Sequence, residues 1–81
     1  MVWGSPGGGV AELTHEQYDL LEHAVAHGSR IAVYRRGTEY LVVPERLAMR
    51  DRREAIEARN PTTGDRLTLY VDEVDTIEAV R

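Results

Sequence analysis

From Arg30 to Val80 the chain alternates apolar and polar residues in short runs, and an amphipathic segment, Thr14 to His27, comes immediately before them. Alternation with a period of two belongs to strands with one buried face, whereas apolar residues three and four apart belong to a helix. One helix and then a meander of about five strands restricts the chain to an α+β domain, with a strongly bent antiparallel sheet around a small core.

The helix is marked at both ends. Thr14-His15-Glu16-Gln17 fits a capping box, in which the Thr14 hydroxyl accepts the Gln17 amide hydrogen and the Gln17 side chain reaches back. Leu13 and Tyr18 are placed for a hydrophobic staple, Leu13, Leu20, Leu21, Ala24 and Val25 share one face, and Gly28 supplies the stop. Ile31 and Val33 alternate with polar neighbours in a first strand that closes at Arg36-Gly37-Thr38. Tyr40 to Val43 is apolar without alternation, as expected of a strand covered on both faces. Pro44 lacks an amide donor and is expected at an edge, a bend or a bulge. Ile56 and Ala58 are expected inward in the strand Arg53 to Arg59, and Asn60-Pro61-Thr62-Thr63-Gly64-Asp65 is a turn. Arg66 to Val71 is the cleanest alternating run, and Thr76 to Val80 reads as a closing strand.

With 81 residues the chain is expected to form one domain over residues 13–81, preceded by a Gly-rich flexible leader over residues 1–12 in which Trp3 is the only large aromatic side chain. A domain this small buries only roughly 60% of the surface its unfolded chain exposes, which leaves little room for a deep catalytic cleft. There is no Cys, hence no disulfide framework and no thiolate metal site. No apolar run approaches the roughly 20 residues of a membrane span, and the first residues do not compose a secretory signal. These features lead to an expectation of a cytoplasmic protein that is not an enzyme, has no cofactor and does not enter a membrane.

Formal charge is −4, from fourteen acidic against ten basic residues, and every basic residue is Arg. That balance disfavours sequence-independent attraction to nucleic acid over the whole surface but leaves room for a local patch. Arg46, Arg50, Arg52 and Arg53, joined by Arg35 and Arg36 from the neighbouring hairpin, are the densest positive charge and the candidate nucleic-acid contact, since guanidinium groups pair with phosphate. Glu45, Asp51 and Glu54 are the carboxylates expected to neutralise part of it. His15, Asp19, His23 and His27 recur at four-residue steps in a stripe along the helix, and His23 and His27 have the spacing of two imidazoles on one metal ion. With no second ligand cluster in the chain, the stripe reads first as a solvated face, and no metal is assigned to it. Asp65, Asp72, Glu73, Asp75 and Glu78 make the C-terminal part acidic.

The succession of a helix, Ile31-Ala32-Val33-Tyr34, Val43-Pro44-Glu45-Arg46-Leu47 and Ala58 to Asp65 leading to Leu69-Tyr70-Val71-Asp72-Glu73-Val74 resembles the core of WYL domains. These are Sm-like (SH3-like) small β-barrels attached to bacterial transcription regulators and defence-associated proteins. Where that family carries its name-giving Trp-Tyr-Leu, this chain has Glu54-Ala55-Ile56. Tyr18-Asp19-Leu20-Leu21-Glu22 is similar to the helix start of the small acidic inhibitors of the Rho transcription terminator, which also resemble a helix followed by an Sm-like barrel. That resemblance implies a charged docking surface made of Glu12, Glu16, Asp19 and Glu22, facing a protein partner.

Together these readings give a non-enzymatic regulatory binding module for a protein partner in transcription or in stress and defence regulation. Nucleic-acid binding through the Arg46 to Arg53 cluster and small-ligand or metal binding are the alternatives. The strand Arg66 to Val71, if its edge is uncovered, offers a route to a homo-oligomer.

Overall fold

Helix α1 (His15–His27) begins where the sequence places it. Thr14 is extended (φ −70°, ψ 164°), its hydroxyl accepts from the Gln17 amide at 3.1 Å and its own amide donates to Gln17 Oε1 at 2.9 Å, closing the capping box. Gly28 ends the helix in the left-handed conformation (φ 65°), which a residue with a Cβ adopts only at a cost. A computed structural model of the protein describes residues 13–80. The leader expected over residues 1–12, with Trp3 and Glu12, lies outside the described residues.

Five antiparallel strands follow: β1 (Ile31–Arg35), β2 (Thr38–Arg50), β3 (Arg53–Arg59), β4 (Arg66–Tyr70) and, after a 3₁₀ turn at Val71–Glu73, β5 (Val74–Ala79). They form one sheet in the order β4-β3-β2-β1-β5. The α+β class and the single bent antiparallel sheet are therefore as expected, but the barrel is not closed, because β4 and β5 stand at opposite ends of the hydrogen-bonded order.

The bend is built into β2. Its first part, Thr38 to Val42, pairs with β1, and its second part, Val43 to Arg50, pairs with β3. The exchange of partner falls between Val42 and Val43, and the register then slips between Pro44 and Arg46, so the proline without an amide donor sits at a bulge in the central strand. The sequence reading ended the strand near Val43; the structure carries it through the bulge to Arg50.

Both hairpin turns flanking β2 are two residues long. Arg36 and Gly37 (φ 51° and 81°) join β1 to β2, and Asp51 and Arg52 (φ 53° and 64°) join β2 to β3. Two successive positive φ values are what the right-handed twist of a tight hairpin demands. The second turn meets that demand with no glycine at all.

The core consists of Leu13, Leu21 and Ala24 from the helical segment and Ile31, Val33, Val42, Ile56, Ala58, Leu69, Val71, Val74 and Ile77 from the sheet. Each fully buried Leu or Ile contributes roughly 1.5–3 kcal/mol relative to an exposed one. Ile56 and Ala58 point inward as the alternation requires. Val42 and Val43 are buried but Leu41 is 47% exposed, so the segment Tyr40 to Val43 is not covered on both faces as its composition had implied. No helix among the described residues is long and apolar enough to cross a membrane.

Candidate functional site

Two charged regions emerge from this fold, and they differ in what their charges touch. On α1, the burial of Leu21 and Ala24 turns His15, Glu16, Asp19, Glu22, His23, Ala26 and His27 to solvent, and all seven are exposed. Asp19 carries an i,i+4 contact with His15 at 3.7 Å, both side chains mostly in water. Glu16 and Glu22 make no ion pair with any described residue. The helix is held in place from its other side, where the Gln17 side-chain Nε2 donates to Thr76 Oγ1 at 2.6 Å and the Tyr18 hydroxyl donates to Glu54. Three of the four carboxylates expected to form a docking face, Glu16, Asp19 and Glu22, are thus brought together on one outward surface; Glu12 is beyond the described residues.

Towards the C-terminal end of the same face, the His27 Nδ1–H donates to the His23 carbonyl oxygen at 2.9 Å, and the two imidazole rings stack with centroids 4.1 Å apart. Among the described residues no group of three or more His, Cys or acidic side chains is arranged to hold a metal ion.

The arginines fare differently. Arg46 and Arg50 both converge on Glu57, at 2.7 and 2.5 Å, because the register sets Glu57 opposite Arg46 on the adjoining strand. Hydrogen bonds from Arg46 and then Arg50 hold the Glu57 carboxyl below its ordinary range, and the same bond raises Arg46. Arg53 binds Asp72 at 2.7 Å and Glu73 at 2.9 Å and lies 3.9 Å over the Tyr70 ring. Those hydrogen bonds lower the Asp72 carboxyl and raise Arg53.

Arg35 and Arg36 reach the same Glu73 at 3.8 and 4.0 Å, and Arg35 also donates to the Tyr40 hydroxyl at 3.0 Å. So Arg35, Arg36 and Arg53 are gathered at the 3₁₀ turn, while Arg46 and Arg50 form a second group around Glu57. Arg52, at the tip of the β2–β3 turn, is exposed and makes no ion pair with any described residue.

The carboxylates that neutralise these arginines are mostly not those expected. Glu54 takes the Tyr18 hydroxyl, Asp51 pairs with no described residue, and only Glu45 pairs as anticipated, with Arg59 at 3.3 Å. Glu57, Asp72 and Glu73 were missed because the fold and not adjacency selects their partners: the β2–β3 register sets Glu57 opposite Arg46, and the 3₁₀ turn brings Asp72 and Glu73 to Arg53. Arg59 and Arg66, directly opposite each other on β3 and β4, were missed as well.

A shallow cleft of about 390 Å³ lies between the start of β2 and the β3–β4 loop, lined by Arg30, Tyr40, Leu41, Pro61 and Leu67 among others. Nearby, burial and then Glu39 and Glu78 push the Tyr34 phenol above its ordinary value.

The chain matches no model of a known protein family. A search of curated proteins likewise returned no relative.

Proposed function

We propose that the protein is a non-enzymatic regulatory binding module of the Sm-like type that docks on a basic protein surface through Glu16, Asp19 and Glu22 of α1. The observation that carries this reading is the contrast in pairing. Glu16 and Glu22 meet no cation among the described residues and Asp19 meets only His15, whereas Arg35, Arg36, Arg46, Arg50, Arg53 and Arg59 are all paired with carboxylates. Unpaired surface charge is free to steer and orient a complementary partner. The helix is a rigid mount for it, with its cap, its Gln17 and its Tyr18 fixed to the sheet. Cytoplasmic transcription or defence regulation is the setting that the resemblance to WYL domains and to the acidic inhibitors of Rho implies, and Rho is the first partner to try.

One observation favours nucleic acid as a second reading. Arg52 is exposed, without a described ion-pair partner, and held at φ 64°, where a glycine would be unstrained. Backbone strain kept at an exposed tip is consistent with a contact residue.

The test is capture of partners from cytosol at low and high salt, with and without nuclease. Wild type is compared with a triple variant (Glu16→Ala, Asp19→Ala, Glu22→Ala) and with a second one (Arg46→Ala, Arg50→Ala, Arg52→Ala) that spares the structural Arg53. A protein that survives nuclease and is lost only with the acidic triple supports the docking reading. Nuclease-sensitive material lost with the arginine triple transfers the function to the second reading, and retention of every partner by both variants overturns both.

A further inference from the structure

We propose that His23 and His27 form a two-point chelate for a divalent transition cation, Cu²⁺, Ni²⁺ or Zn²⁺, on the outward surface of α1. The inference stands on the histidines alone and does not depend on what docks to the carboxylates. Residues four apart leave a helix in the same row, one turn above the other. Both side chains are exposed, and their rings already lie together, with centroids 4.1 Å apart and planes inclined by 24°.

The chemistry of His27 is fixed by its neighbour. A carbonyl oxygen can only accept, so the 2.9 Å contact between His27 Nδ1 and the His23 carbonyl requires the proton to sit on Nδ1. Nε2 then keeps its lone pair, on the side of the ring away from that carbonyl. This is the arrangement by which metal-binding histidines are oriented: one nitrogen is held by a carbonyl and the other is left for the ion. The His23 ring, in solvent, turns about its own side-chain bonds to offer a nitrogen to the same ion without moving the helix.

Imidazole selects copper, nickel and zinc over magnesium and calcium, which prefer oxygen, and the expected order of affinity places Cu²⁺ first. No three ligating side chains converge among the described residues, so two protein nitrogens hold the ion and the remaining positions stay open to water or to a donor from another molecule. His15 provides an internal comparison. It lies two turns before His23, and the side chain one turn after it is the Asp19 carboxylate, 3.7 Å away.

The experiment is a calorimetric titration of the full chain, carrying no histidine tag, with CuCl₂, NiCl₂ and ZnCl₂, and with MgCl₂ as the control. The Zn²⁺ series is repeated while the imidazole ¹⁵N resonances are recorded. The expected result is that the His23 and His27 resonances move together while His15 stays in place. Removing either member, His23→Ala or His27→Ala, then weakens binding by roughly tenfold or more, because the second bond is intramolecular, and His15→Ala changes nothing. The proposal is overturned if His15→Ala weakens binding as much as the other two variants, if His23→Ala and His27→Ala bind as wild type, or if Mg²⁺ binds as well as Zn²⁺.

Discussion

The outward surface of α1 and the arginine-rich rim around the 3₁₀ turn are both dense in charge, yet only the first presents charge that is largely uncommitted. At the rim, Glu73 receives Arg35, Arg36 and Arg53, and Asp72 receives Arg53 again, so the cations tie β1, β3 and the 3₁₀ turn to one another. On the helix, the carboxylates sit above residues that are held from beneath, and among the described residues the one ion-pair contact they make is that of Asp19 with His15. Charge density along a sequence therefore says less about binding than charge left over after folding. A network of partly exposed pairs contributes to order and register, while isolated surface pairs add little.

The sharpest way to break this contrast is to free the arginines. Glu57→Gln removes the anion shared by Arg46 and Arg50, and affinity for a short single-stranded oligonucleotide at low salt is expected to rise roughly tenfold, with a steeper salt dependence measured by fluorescence anisotropy. If affinity does not change, Glu57 was not what kept that surface silent.

Next in size is the rim itself. Arg53→Ala is expected to lower Tm by several degrees, since it leaves Asp72 without its partner and uncovers Tyr70, whereas Glu22→Ala is expected to leave Tm unchanged. The rim also gives stability a direction in pH. The Asp72 and Glu57 carboxyls are lowered in the folded state, so the unfolded chain binds protons first. Their contribution is complete above the ordinary carboxylate values of 3.8 and 4.5 and is lost as pH falls through the lower folded values. Thermal melts from neutral to acid pH should show this decline, and Arg53→Ala should make it shallower.

Smaller effects separate strain from function at the β2–β3 turn. Arg52→Gly relieves the left-handed strain and is expected to stabilise the fold by about 1 kcal/mol in urea unfolding. If it also weakens nucleic-acid capture, the Arg52 guanidinium is a contact. Thr14→Ala, which opens the capping box, is expected to cost about 1 kcal/mol. Because it loosens the mount beneath the carboxylates, partner affinity should fall with it if docking runs through α1.

Local chemistry made α1 and the turns at Arg36-Gly37 and Asn60 to Asp65 legible in advance, but not the glycine-free turn at Asp51 and Arg52. A capping box, a staple and a terminal glycine act within a few residues, and the Ile56, Ala58 and Leu69 positions follow from simple alternation. What could not be read was anything decided by register. The pairing of β2 with β3 begins at Val43, and the slip between Pro44 and Arg46 within it, not proximity in sequence, selects Glu57 for Arg46. Arg53 finds Asp72 only because β3, β4 and the 3₁₀ turn follow one another around the sheet. Likewise the apolar run Tyr40 to Val43 looked doubly covered, but the sheet stays open there and leaves Leu41 in solvent.

The division of β2 between two partners also shapes how the chain acquires its structure. Neighbouring strands β1 to β4 pair through short connections, whereas β5 must return across the whole meander to set Ala79 opposite Ile31. Closing so long a loop is entropically slow compared with zipping a two-residue hairpin. During synthesis the outer edge of β1 thus waits, unpaired and apolar, until residues 74–79 have left the ribosome, and that interval is when the nascent chain is most exposed to wrong partners.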